Sequence, residues 1–107
     1  MPVNAAWGYN NRSVAFRVPA SEPEARRIEH RVAGADINPY LALAAILAGI
    51  FHGIENKLDP GEPAEGNACE LMDDDIPFYV PSALKRMRNS AVLRDYFSDA
   101  YVDVYTE

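Results

Sequence analysis

Apolar and polar residues alternate over two short stretches near the start of the chain. From Ser13 to Val18, the side chains of Val14, Phe16 and Val18 fall on one side and those of Ser13, Ala15 and Arg17 on the other. From Arg27 to Val32, Ile28, His30 and Val32 oppose Arg27, Glu29 and Arg31. A period of two marks a half-buried strand. Pro19 and the polar run PASEPEA separate the two stretches, so the pattern predicts an antiparallel strand pair within residues 1–35. Residues 1–12 contain Pro, Gly and three Asn and read as an irregular lead-in, with Trp7 and Tyr9 as packing aromatics.

The period then changes. Gly34-Ala35-Asp36 turns the chain, and Asn38 followed by Pro39 is a helix start: the Asn side chain caps orphan N–H groups and Pro fits the first helical position. From Tyr40 to about Glu55 the sequence is apolar nearly all round, with no polar stripe before His52, Glu55 and Asn56. Such a helix needs cover on every side, so residues 36–58 are expected to form a buried helix, covered by a larger protein body or a partner subunit. Residues 59–80, rich in Pro, Gly and acidic side chains, read as a loop. Residues 81–107 read as short C-terminal helices: one opened by Pro81-Ser82 over roughly Ala83 to Asn89, one capped by Ser90 over Ala91 to Phe97, and a last one from Ser98-Asp99. That last pattern is expected to break off mid-helix. The fold class is α+β: an antiparallel strand pair, a long apolar helix, then shorter helices.

Composition narrows the function. At 107 residues the chain makes at most one domain. Its net charge is −6 with a pI near 4.8, which argues against a nucleic-acid partner. The cluster Lys85-Arg86-Met87-Arg88 lies in a helical pattern and reads as a solvated face. The single cysteine, Cys69, excludes an internal disulfide and fits a reducing compartment. No basic-then-apolar leader opens the chain, and the apolar run Leu41 to Phe51 is short of the ~17–25 residues that cross a bilayer. The expectation is a soluble cytoplasmic protein with no membrane partner. His30 and His52 read as packed or solvated histidines.

The chemistry-bearing residues are charged. Arg27, Glu29 and Arg31 share one strand face, and Arg17 lies on the neighbouring strand with Arg12 just before it. One reading is a weak cross-strand salt-bridge ladder. Another is an anion site: guanidinium forks bind phosphate or carboxylate bidentately, and Glu29 offers an oxygen to a hard cation such as Mg2+. Arg12 is five residues from Arg17 and out of phase with it on a regular strand, so the lead-in must redirect it.

Three ordered blocks bear on that choice: NRS-x-A-x-R-x-P, then RRIE-x-R, then G-x-D-x-NPYL-x-x-A. Together they resemble the glutamine synthetase family, over about Trp7 to Tyr105, and look most like its branch that joins glutamate to amines such as putrescine. The resemblance implies a partial glutamine synthetase catalytic domain. In that family ATP phosphorylates the side-chain carboxylate of glutamate, and ammonia or an amine displaces phosphate. It also implies roles: Arg12 would contact the transferred phosphoryl group, Arg17 the nucleotide phosphates, Glu29 a divalent metal, Mg2+ or Mn2+, and Arg31 the glutamate carboxylate. The intact enzyme would be a homo-oligomeric ring. Absent from these residues are the family's N-terminal domain, its Glu-rich metal segments, its metal-binding His and its earlier nucleotide loops. The isolated chain is therefore expected to be inactive and to hold neither ATP nor metal alone; the alternative is a small, non-catalytic, self-associating interaction protein. Asn10 stands where the family pattern has Asp, Cys69 where it has an aromatic, and Ser98 where it has Gly.

Overall fold

A computed structural model describes residues 2–73 and 76–107. Of the acidic run in the 59–80 segment, Asp74 and Asp75 lie outside the described residues. The class is α+β, and the chain divides into two compact units, residues 1–36 with 60–76 and residues 37–59 with 77–107.

The first unit is built on a three-stranded sheet in the order β1-β2-β3. β1 spans Trp7–Tyr9, β2 Phe16–Val18 and β3 Glu29–His30. β2 is antiparallel to β3, with Phe16 opposite His30 and Arg17 opposite Glu29. The sheet is not a simple pair, however. β1, inside the stretch that reads as irregular, runs parallel to β2, with Trp7, Gly8 and Tyr9 opposite Phe16, Arg17 and Val18. Both strands that the alternation marks, β2 and β3, are also shorter than it predicts. Val14 and Ala15, adjacent in sequence, are both fully buried, because the chain reaches β2 through a turn in which a period of two does not operate. The Ala15 N–H donates to the Ala6 carbonyl (3.0 Å), and the Ala15 carbonyl accepts from the Arg31 N–H (2.9 Å).

Residues 60–73 are more than a loop. They return to the sheet and are bonded to it: the Ala64 N–H donates to the Trp7 carbonyl (2.7 Å) and the Asp73 N–H to the Val3 carbonyl (2.9 Å). The Trp7 indole Nε1 donates to the Gly61 carbonyl (3.0 Å), and Asn4 Nδ2 to the carbonyls of Ala68 (2.7 Å) and Leu71 (2.8 Å). The approach is close enough to require a glycine. A Cβ on Gly8 would meet the Ala64 carbonyl oxygen at 2.8 Å. A short 3-10 turn, Ala68–Glu70, sits in this segment, with Asn67 accepting from the Cys69 N–H.

The second unit is helical. α1 spans Pro39–Glu55, and Asn38 caps it by accepting from the N–H groups of Tyr40 (3.0 Å) and Leu41 (3.3 Å). α2 spans Val80–Arg88 with Pro81 in its first turn. α3, Ala91–Phe97, and α4, Asp99–Tyr105, are capped by Ser90 and Ser98. Tyr96 of α3 meets α1 edge-on, 6.0 Å from the Phe51 ring and 5.9 Å from His52. Val102 is fully buried, and Thr106 beyond it closes onto α2, accepting from Arg88 Nε at 3.1 Å. Arg94 ties the helix ends together by donating to Asp99 (3.0 Å), Asp103 (2.8 Å) and the Arg88 carbonyl (2.7 Å).

Within this chain α1 is left uncovered. Tyr40, Leu43, Leu47, Ile50, Phe51 and Ile54 are all exposed, and none of the residues of α1 is fully buried. One short neighbour on one side cannot cover a helix that is apolar all round. No helix among the described residues is long and apolar enough to cross a membrane.

Candidate functional site

The antiparallel register sets the site. It places Arg17 directly opposite Glu29, and Arg17 Nη1 donates to Glu29 Oε2 at 2.8 Å. The arginine side chain is only 15% exposed, against 43% for the glutamate. Arg17 Nη2 donates to Asn10 Oδ1 at 2.7 Å, and its Nε is buried with no hydrogen-bond partner among the described residues. Held on both arms, this guanidinium has a fixed plane. Asn10 reaches it from a left-handed backbone position, φ +46°, steadied by its N–H donating to the Val18 carbonyl (2.8 Å).

Glu29 is held below the usual glutamate range. The Arg17 hydrogen bond is the largest cause; partial desolvation opposes it, and the charges of Arg17, Arg31 and Arg12 all reinforce it. Nearby opposite charge favours the ionised form. Three arginines and one carboxylate therefore act on one another here, and they are the four residues that the sequence singles out.

Their side chains are nevertheless employed differently. Arg31 Nη1 donates to the backbone carbonyls of Arg12 and Val14 (3.2 Å), so it braces the turn that carries Arg12. Arg12 itself is exposed and lines a surface cleft of about 600 Å3 with Tyr9, Asn10, Asn11 and residues 63–66. The predicted ladder reduces to one cross-strand pair. Arg27 Nη1 donates to the nearby Ala25 carbonyl (3.2 Å), because β3 begins only at Glu29 and leaves Arg27 outside the sheet. His30 lies on the opposite face, its ring 5.4 Å from that of Phe16.

The residues that the alternation does not reveal are Asn10, Asn11 and Ser13. Asn11 Nδ2 donates to the carbonyls of Ala64 (3.3 Å) and Gly66 (2.9 Å), while its Oδ1 accepts from the N–H (3.0 Å) and hydroxyl (2.6 Å) of Ser13. Their signal was the asparagine pair beside Arg12, since Asn readily takes turn conformations and bonds to nearby backbone.

A divalent cation of the Mg2+ type takes an octahedral set of oxygen ligands. Glu29 offers one carboxylate, already engaged by Arg17, and no group of three or more His, Cys, Asp or Glu lies together among the described residues. These residues do not by themselves fit a metal centre. They fit an anion.

The class of protein is an α+β domain in which one strand-borne carboxylate is paired with a guanidinium on the neighbouring strand. The glutamine synthetase catalytic domain matches residues 1–107, and the chain belongs to that family. It is 44% identical over 105 residues to the gamma-glutamylputrescine synthetase of Escherichia coli (strain K12), a match covering 98% of this chain and 22% of that enzyme. It is 37% identical over 107 residues to a glutamate–isopropylamine ligase of Pseudomonas sp. (97% and 23%). To a gamma-glutamylethanolamide synthetase of Streptomyces coelicolor it is 38% identical over 104 residues (97% and 22%). The chain thus spans less than a quarter of the length of these relatives, which are ligases of the glutamine synthetase type.

Proposed function

We propose that this chain supplies the anion-binding part of an ATP-dependent ligase that joins glutamate to ammonia or an amine. In the reaction the γ-carboxylate of glutamate attacks the terminal phosphorus of ATP, giving γ-glutamyl phosphate and ADP. The amine nitrogen then attacks the acyl carbon, phosphate leaves, and the nitrogen gives up a proton. The observation that carries the reading is the Arg17–Glu29 ion pair at 2.8 Å beside the Arg12 turn that Arg31 braces.

Each arginine has a place in that scheme. A phosphoryl group in transfer spreads negative charge over its oxygens, and preorganised guanidiniums stabilise that charge without reorganising. Arg12, exposed in its cleft, is suited to the transferred phosphoryl group. Arg17, fixed in plane, is assigned to the nucleotide phosphates and Arg31 to the glutamate carboxylate. Glu29 is assigned as one ligand of Mg2+ or Mn2+ in an intact enzyme whose other carboxylates come from elsewhere. The intact protein is proposed to be a cytoplasmic homo-oligomer.

In such an enzyme, Arg12→Ala should lower kcat by on the order of 100-fold, read as ADP release that depends on both glutamate and amine. The 107-residue chain alone should show no ligation. An unaltered rate in the variant, or sustained turnover by the short chain, would refute the reading. The exposed apolar residues of α1 favour a second reading, a self-associating interaction protein without catalysis. Dimerisation with no affinity for phosphate or ATP would select it.

A further inference from the structure

We infer that Asn11 and Ser13 are positioning residues for Arg12, acting by clipping its turn onto the 64–68 segment. Arg12 lies between them in sequence, so whatever fixes both neighbours fixes the arginine's Cα and the direction in which its side chain leaves. Both neighbours are fixed to the same place. Asn11 donates to the Ala64 and Gly66 carbonyls, and Ser13 Oγ accepts from the Ala68 N–H (2.8 Å). The clip is also closed on itself, because Asn11 Oδ1 accepts both the N–H and the hydroxyl of Ser13.

The chemistry of the two side chains is specific. Only an amide both donates to a pair of carbonyls and accepts from a neighbouring hydroxyl, and only a hydroxyl donates to that amide oxygen while the same atom accepts from an N–H. Gly66 takes φ +73°, a conformation that favours glycine. Arg31 holds the same turn from the other side, through the Arg12 carbonyl. The segment between residues 64 and 68 is thus the seat on which Arg12 is aimed. The inference deepens the reading of Arg12 as an anion-binding side chain, yet the positioning itself is measurable without any anion.

The test uses the full chain with isotope-labelled arginine. Backbone 15N relaxation at Arg12, and amide exchange at Ser13 and Ala68, report the clip directly; titration with inorganic phosphate, followed at the Arg12 Nε–H resonance, reports function. Asn11→Ala is expected to lower the order of Arg12, to speed exchange at Ser13 and Ala68 by about tenfold or more, and to weaken phosphate binding by a similar factor. Ser13→Ala should do the same, and Ser13→Thr, which keeps the hydroxyl, should restore wild-type behaviour. If Asn11→Ala does not fold, the Ser13 pair carries the comparison. Loss of order in the variants, together with a wild type that never binds phosphate, would sink the anion reading and leave the clip standing. An Arg12 as ordered in Asn11→Ala and Ser13→Ala as in the wild type would overturn the inference.

Discussion

Glu29 is paired across the strands with Arg17. Its carboxylate is ionised more readily than an ordinary glutamate, first because Arg17 donates to it and then because the charges of Arg17, Arg31 and Arg12 favour the ionised form. A depressed acid contributes stability that is fully present above its unfolded value and is lost as pH falls through the folded one. The stability difference between wild type and Glu29→Gln should therefore be constant near neutral pH. It should shrink as the pH falls below the ordinary value of 4.5 and vanish in stronger acid. Thermal melts of both proteins across that range make the check, and a gap that widens on acidification would contradict the ion pair. The sequence revealed these charged residues because arginines set in apolar alternation stand out. It did not reveal how each is used. Which guanidinium faces Glu29 follows from strand register, and which one braces a turn follows from carbonyls whose directions no side-chain pattern encodes.

Among the elements, the helices were legible and the sheet only in part. Asn38, Ser90 and Ser98 each cap the helix they precede, because capping is a local event between neighbours in sequence. β1 escaped notice since three residues are too few to show a period, and its partner is chosen by tertiary pairing. The link between α3 and α4 carries a further consequence. Ser98 sits at φ +81°, ψ 153°, a region almost reserved for glycine, where other residues bear on the order of 1–3 kcal/mol of strain. Ser98→Gly gives up the hydroxyl that accepts from the Tyr101 N–H (3.3 Å), a loss of a few tenths of a kcal/mol when glycine replaces a cap. It also gains entropy in the unfolded chain, which offsets roughly 0.5–1 kcal/mol. The net expectation is a stabilisation of about 1 kcal/mol, measurable by urea unfolding, with Ser98→Ala less stable than either. A Ser98→Gly protein no more stable than wild type would show that the link stores no strain.

For the molecule as a whole, the opposing features are an apolar helix face in solvent and a net charge of −6. Exposed apolar surface of this kind favours association, while like charges on separate copies resist it until salt screens them. Sedimentation should therefore show association that rises with protein concentration and with ionic strength. Leu47→Glu, on the exposed side of α1, should shift the population toward monomer without loss of helix content; a wild type that stays monomeric throughout would count against it. A practical handle comes with the architecture. Trp7, the single tryptophan, donates its indole N–H to Gly61, so its fluorescence is a native reporter for the arginine-bearing half. Any event that lifts the returning segment off the strands will alter that emission, while the helices, which hold tyrosines but no tryptophan, stay silent under selective excitation.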